Sequence, residues 1–277
     1  MLGSAVLRAL SQTDGWCVDG TQNGNPSGPD YMDVLEMPRE QWVAVLLRRR
    51  YDYIVNCIGI LKPAVNERDS LSVSRAIRVN ALMPHEVAFL APQSRVLHLS
   101  TDGVFSGTAG RPYLETDPTD CPDLYGKTKA LGECPAQNVI NFRCSIIGRD
   151  PLGGKGLIEW VLRSPDGAEL TGFEDQHWNG VTTRQFAELC RRIIASESFG
   201  LIRRISGIHH FCPNPATTKY ELLCGIRTAA RRDISIRRGK SGAPGARLLA
   251  SLYSNLQEIF CDTREWDALI PDALSIG

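Results

Sequence analysis

The chain alternates short apolar runs with segments of helical periodicity, and this alternation restricts the folds open to it. Three of the apolar runs begin at Tyr53, Arg95 and Val139, and each has the length of a strand. A segment with helical spacing of apolar residues, residues 72–90, lies between the first two runs. Strands separated by helices are joined by crossovers and form a mostly parallel sheet. The sequence therefore predicts an α/β fold with a doubly wound parallel sheet.

The alternation becomes less regular after about residue 150. Glycine-rich loops, two helical segments and one short apolar run follow in the second half of the chain. We predict a sheet-containing domain over residues 1–150 and a smaller lobe, mainly for substrate binding, over residues 151–277.

Composition excludes several classes of function. The 31 basic and 31 acidic residues cancel, which argues against general binding to nucleic acid or to an anionic membrane. No apolar run approaches the ~18 residues needed to span a bilayer. The nine cysteines form no C-x-x-C pair and are odd in number, so we expect a reduced, cytoplasmic setting. No cysteine–histidine cluster has zinc spacing, and we predict no required transition metal.

A tyrosine and a lysine on a predicted helix indicate proton-transfer chemistry. Tyr125 and Lys129 are four residues apart, so their side chains leave the same helix face. A nearby ammonium favours the phenolate of a tyrosine, whose ordinary pKa is about 10. Ser100 and Thr101 follow a predicted strand, at the sheet edge where ligands bind. Together these groups predict an enzyme that acts on a carbonyl/alcohol pair.

The chain resembles the extended short-chain dehydrogenase/reductase family, and within it the dTDP-4-dehydrorhamnose reductases and related nucleotide-sugar reductases. The main matching runs are LSTDGVFSG from residue 99 and PYLETDPTDCPDLYGKTKALGE from residue 112. The resemblance implies a Rossmann-like fold and reduction of a 4-keto nucleotide sugar by NADH or NADPH. It implies a nucleotide-sugar partner, no nucleic acid and no membrane, and it allows a homodimer.

The resemblance also implies roles for single residues. Tyr125 would protonate the substrate carbonyl oxygen, Lys129 would lower the tyrosine pKa and hold the ribose hydroxyls, and Thr101 would bind the same carbonyl oxygen. Cofactor contacts are implied for Gly3, Asp33, Val34, Cys57, Ile58, Gly59, Ser100, Tyr125 and Lys129. Substrate contacts are implied for Thr101, Asp102, Ile146 and Trp178. For Trp178 an aromatic that anchors a turn is an equal alternative, and for Asn80 a purely structural role stands beside a place near the site.

The amino terminus departs from the family pattern. Gly3 matches the last glycine of the G-x-x-G-x-x-G turn, and the first strand and the earlier glycines are absent. Either the start is misplaced, which we favour, or the product is shortened and binds cofactor poorly. No arginine stands near Gln22 or Asn23 to pair with a 2′-phosphate, and Asp19 could bond a free 2′-hydroxyl, which favours NADH.

Two other functions remain open at this point. An epimerase or dehydratase on the same scaffold would use tightly held NAD with no net redox change. A non-catalytic, reductase-like binding or regulatory subunit is favoured by the absent glycines and disfavoured by the intact tyrosine–lysine pair.

Overall fold

The computed structural model describes residues 1–150, 156–242, 245–260 and 262–275. The helices are α1 (Leu2–Ser11), α2 (Arg39–Leu46), α3 (Ser70–Ala76), α4 (Met83–Leu90), α5 (Leu124–Leu131), α6 (Leu157–Arg163), α7 (Thr183–Ala195), α8 (Phe199–Ile205), α9 (Lys219–Ala229), α10 (Asn255–Ile259) and α11 (Trp266–Leu274). The strands are β1 (Tyr53–Asn56), β2 (Arg95–Leu99), β3 (Val139–Arg143), β4 (Ile146–Ile147), β5 (Glu169–Phe173), β6 (His177–Trp178), β7 (Val181–Thr182), β8 (Ile208–His210), β9 (Thr217–Thr218) and β10 (Ser235–Gly239).

A four-stranded parallel sheet forms the centre of the molecule. Its order is β1-β2-β3-β8, and all three pairings are parallel. Successive strands are joined through helices, as crossover connections require. The predicted α/β fold with a parallel sheet is confirmed.

Helices cover the sheet on both faces because side chains alternate along each strand. On one face Val96 and Val139 pack with Trp42 and other residues of α2 and α4. On the opposite face Leu97 packs with residues of α1 and α7. Burial on both faces explains why these strands are continuous apolar runs in the sequence.

Two local predictions differ from the structure. The helix predicted over residues 72–90 is present, but residues Ile77–Leu82 between α3 and α4 are π-helical. The segment Trp16–Val18, predicted as a strand, forms none: Trp16 and Val18 pack against the core on the α1 side of the sheet. A strand requires a hydrogen-bonded neighbour, and no described strand pairs with this segment.

A second apolar core lies in the carboxy-terminal half. It joins residues of α6, α9 and α11 with Leu170 of β5 and Ile234. However, α7, α10 and β8 pack with the main sheet, so the carboxy-terminal half contributes to both cores. The division after residue 150 stays a prediction, and residues 151–155 lie outside the described part.

Among the described residues, no helix combines the length and the apolar character that crossing a bilayer requires.

Candidate active site

Helix α5 carries the tyrosine–lysine pair and is held close to the end of β2. The carboxylate of Asp123 caps its first turn by accepting a 2.9 Å bond from the Gly126 amide. A Cβ added at Gly126 would collide with the backbone oxygen of Gly103 and with the side chain of Cys121. The glycine therefore allows α5 to approach the 3₁₀ turn Asp102–Val104 that follows Thr101.

Thr101 and Tyr125 meet at this contact. The Thr101 hydroxyl accepts from the Gly103 amide at 3.0 Å and lies 3.2 Å from Oδ1 of Asp102. A Cβ built on Gly103 would lie 3.2 Å from both Thr101 Oγ1 and Tyr125 Cε1, which places the two side chains beside the same glycine. The Thr101 hydroxyl also lies close enough to the Tyr125 phenol to lower its pKa. Two hydroxyls that can share one carbonyl oxygen therefore lie together at the carboxyl end of β2.

The predicted lowering of the Tyr125 pKa is not present in this structure. Burial raises the pKa of Tyr125 to about 12, and the negative charges of Asp102 and Asp123 act in the same direction. The Thr101 hydroxyl and the charge of Arg247 oppose this rise without cancelling it. The phenol is therefore protonated at neutral pH and suited to donate a proton.

Lys129 lies one turn further along α5 and has a partner of its own. Its ammonium is buried and donates to the backbone oxygen of Leu99 at 2.6 Å. Burial lowers the pKa of Lys129 to about 8, while the charge of Glu133 opposes the change. Lys129 lies at the end of β2, as the sequence predicts. Its ammonium is hydrogen-bonded there to the backbone oxygen of Leu99.

A buried polar cluster beneath these residues was not predicted from the sequence. The Ser100 hydroxyl donates to Glu133 at 2.7 Å, and the guanidinium of Arg143 makes two bonds of 2.7 Å to the same carboxylate. Arg143 also donates to the backbone oxygen of Glu115 at 3.3 Å. Glu133 is four residues after Lys129, and this helical spacing could have indicated a carboxylate near the lysine.

Three of the residues predicted to contact cofactor, Gly3, Cys57 and Gly59, lie at or near the loop after β1. Gly3 is at the start of α1, where an added Cβ would lie 3.8 Å from Cβ of Cys57, so the helix start adjoins the loop after β1. Asn80 holds that loop by bonding both backbone groups of Ile60, at 2.8 and 3.0 Å, which is the structural role considered above. Gly59 lies against Asn80: a Cβ built on this glycine would be 3.5 Å from Oδ1 of Asn80.

The start of α1 fits an anionic group such as a dinucleotide diphosphate. The helix has ten residues, and no side chain caps the amides of its first turn. Such amides and the positive end of the helix dipole are the groups that hold phosphates. Gly3, Cys57, Ile58, Gly59 and Lys129 are the chain's own residues that would adjoin the cofactor.

The residues predicted near the adenine and its ribose have local partners. The Asp33 carboxylate accepts from the amides of Leu35 and Glu36 at 2.8 and 3.2 Å, and Val34 is buried in the core on the α2 side. Asp19 accepts a 2.7 Å bond from Tyr51 and lies 3.2 Å from Arg49. This cation beside Asp19 was not predicted from the sequence.

The predicted substrate residues are placed differently from one another. Burial raises the pKa of Asp102, which faces Arg247 beside Tyr125. Ile146 is half-buried in β4 and packs against the core on the α1 side. Trp178 packs against Trp266 with ring centroids 4.9 Å apart and the rings tilted by 37°, so its ring adjoins the second core, as an anchoring aromatic would.

Two cations near Tyr125 were also missed by the sequence analysis. Arg247 donates to the backbone oxygen of Phe105 at 2.8 Å and acts on the pKa of both Tyr125 and Asp102. Lys219 stands at the start of α9, where desolvation of its ammonium and the charges of Arg247 and Lys62 lower its pKa, and the charge of Asp102 opposes this change. Residues this far apart in sequence are brought together by the fold alone.

Within the ranges that the structure describes, no group of three or more histidine, cysteine, aspartate or glutamate side chains is arranged to hold a metal ion.

Comparison with known proteins identifies relatives of this chain. The chain is 27% identical to methionine adenosyltransferase 2 subunit beta of Danio rerio, over 83% of this chain and 71% of that protein. It is 31% identical to a dTDP-4-dehydrorhamnose reductase of Streptomyces griseus, over 60% of this chain and 55% of that protein. The chain thus aligns with little more than half the length of this reductase.

Solved structures and a family model extend the match. The crystal structure of a dTDP-4-dehydrorhamnose reductase from Yersinia enterocolitica has the same fold, with a TM-score of 0.77 at 19% identity over 99% of this chain and 94% of that one. The model of the RmlD substrate binding domain matches residues 1–266. The chain therefore belongs to the RmlD substrate binding domain family.

Proposed function

We propose that this chain reduces the 4-keto group of a nucleotide sugar similar to dTDP-4-dehydrorhamnose, with NADH or NADPH as the electron donor and Tyr125 as the proton donor. Family membership makes the chain a relative of NAD(P)-dependent oxidoreductases of the extended short-chain dehydrogenase/reductase type. The observation that carries the proposal is the buried contact between the Thr101 and Tyr125 hydroxyls at the end of β2.

The state of Tyr125 suits reduction. A phenol with a pKa of about 12 is protonated at neutral pH and can give its proton to a carbonyl oxygen that is gaining electrons. The Thr101 hydroxyl can bind the same oxygen and then donate to the phenolate that remains. A bound reduced nicotinamide would supply the hydride. Lys129, at the strand end, would hold the ribose hydroxyls.

The charges around the site favour an anionic substrate. Desolvation and the charges of Arg247 and Lys62 lower the pKa of Lys219, while the charge of Asp102 raises it. An ammonium at a helix start is unfavourable alone, because the helix dipole is positive there. A diphosphate beside these cations would remove that cost, which supports a nucleotide-linked sugar over an uncharged one.

The proposal leaves both phosphorylated and unphosphorylated dinucleotides to be tested. The preference for NADH rests on the absence of an arginine near Gln22 or Asn23 and on Asp19, whose carboxylate bonds Tyr51 and lies beside Arg49. A related reductase from Bacillus anthracis was solved in complex with NADP. Parallel titrations with NADH and NADPH would decide between them.

The direct test is incubation of the protein with dTDP-4-dehydrorhamnose and either reduced cofactor. We expect consumption of the cofactor and a product with a new hydrogen on C4, seen by NMR. Absence of turnover with every 4-keto nucleotide sugar would reject the proposal. Turnover with NAD retained from purification and none added would instead identify an epimerase or dehydratase.

A second function is favoured by one comparison. The relative from Danio rerio that aligns over 83% of this chain is named as a subunit of methionine adenosyltransferase. The separate partners of Tyr125 and Lys129 in this structure are compatible with a non-catalytic subunit. Co-purification of a partner protein, together with no turnover, would support that function.

A further inference from the structure

A buried carboxylate with no role in the mechanism above lies close to Lys129. Glu133 follows the last turn of α5, four residues after Lys129, and its side chain is 5% exposed. Three donors hold it: the Ser100 hydroxyl and two nitrogens of Arg143, each at 2.7 Å. The Arg143 side chain is 3% exposed. Because the guanidinium cannot lose its charge, the Glu133 carboxylate lies against a permanent cation.

Several titratable groups surround Lys129, and they come from every neighbouring element. Cys57 follows β1, Cys144 follows β3, and His98 lies on β2. Burial raises the pKa of both thiols and lowers that of His98, so all three are neutral at neutral pH. Among the described residues, Glu133 is the carboxylate whose charge acts on Lys129.

The backbone contact of Lys129 does not replace this carboxylate. The oxygen of Leu99 accepts from the ammonium, but it carries no net charge and can accept from a neutral amine as well. Desolvation disfavours the ammonium, and a negative charge nearby is what restores it.

We propose that Glu133 is a positioning residue, which keeps Lys129 charged at neutral pH and aims the Ser100 hydroxyl, while Arg143 holds the carboxylate in place. A neutral Lys129 would lose the charge-assisted part of its bonds to a ribose and could no longer favour a phenolate. The consequence for cofactor binding rests on the proposed function, whereas the charge state of Lys129 can be measured without cofactor or substrate.

The test is an NMR titration of the cofactor-free protein with ¹³C at the lysine ε carbons. The Lys129 signal is assigned by its loss in Lys129→Met. We expect a midpoint near the pKa of about 8 in the unchanged protein. In Glu133→Gln the midpoint falls by about 1 unit or more. An unchanged or higher midpoint in this variant would overturn the inference.

Two further variants guard against loss of folding and against an indirect effect. Glu133→Gln leaves Arg143 buried without a carboxylate, so Glu133→Gln with Arg143→Gln replaces both charges by amides and should show a fall in the same direction but smaller, because the Arg143 cation is removed too. Ser100→Ala removes one hydrogen bond but keeps the charge of Glu133, so its midpoint should stay within a few tenths of a unit. A fall of similar size in Ser100→Ala would contradict a charge effect.

Cofactor binding, measured by calorimetry across pH, gives the second readout. Lys129 loses its proton as pH rises, so the loss of affinity at high pH should move to lower pH in the Glu133 variants. If no form of the protein binds cofactor, the proposed function fails, and the NMR midpoints alone decide the inference about Glu133.

Discussion

The ammonium of Lys129 donates a 2.6 Å hydrogen bond to the backbone oxygen of Leu99, the last residue of β2. The Tyr125 phenol, one turn earlier on the same helix, adjoins the Thr101 side chain beside Gly103. Tyr125 and Lys129, which the sequence predicts to interact with each other, therefore contact different residues. Burial, rather than the neighbouring ammonium, sets the proton affinity of the phenol.

Tyr125 should stay protonated throughout the neutral range. Because burial raises its pKa to about 12, its ionisation should lie above the range of an exposed tyrosine. The measurement is the tyrosinate absorbance of the unchanged protein minus that of Tyr125→Phe as pH rises. A midpoint below about 10 would instead support the lowered pKa that the helix spacing predicts.

Close packing of α5 should make two of its glycines intolerant of a side chain. A Cβ at Gly126 meets the Gly103 backbone, and one at Gly132 meets the backbone oxygen of Asn80. We expect Gly126→Ala and Gly132→Ala each to lower the free energy of unfolding by about 1–3 kcal/mol. Gly200→Ala in α8 is the matched control, since nothing lies within 4 Å of its Cβ position. Equal urea midpoints for all three variants would contradict this packing.

Glu115 should stabilise the fold in a pH-dependent way. Burial alone would raise its pKa, but bonds from the Ser251 hydroxyl and the amides of Leu252 and His210 hold the pKa below its ordinary value. Its contribution is therefore present above pH about 4.5 and is lost as pH falls through the lower pKa of the folded state. Glu115→Gln should cost about 1–3 kcal/mol at pH 7 and less near pH 3. A difference from the unchanged protein that is independent of pH would contradict the assignment.

The cations beside the site should determine affinity for the substrate. If Lys219 and Arg247 face a diphosphate, Lys219→Met and Arg247→Met should each raise KM for the nucleotide sugar about ten-fold, with a smaller change in kcat. Arg237→Met, which removes an exposed partner of Glu169, is the control and should leave KM unchanged. An equal effect of all three variants would indicate a nonspecific loss of positive charge.

The sequence was sufficient for the residues that local rules place. Parallel strands end at one edge, so Thr101 and the loop at Gly59 could be placed together. Helical periodicity put Tyr125 and Lys129 on the same face. Both inferences need only a strand, a helix and their order.

The charge states of the site residues could not be predicted in the same way. They depend on burial and on groups from distant segments, such as Arg247, which reaches Phe105 across 142 residues of sequence. The position of Trp178 likewise depends on a distant residue, Trp266 of the last helix. A pair interaction inferred from spacing is therefore a statement about geometry, and its energetics require the surrounding fold.

Transfer of deuterium from reduced nicotinamide to C4 of the sugar tests the central claim most directly. The protein is incubated with dTDP-4-dehydrorhamnose and NADH or NADPH deuterated on the transferred position, and the product is examined by NMR. We predict deuterium at C4 with the unchanged protein and a rate lower by about 10²–10⁴ with Tyr125→Phe, which removes the proton donor. Equal rates in the two proteins, or no deuterium at C4, would contradict the account.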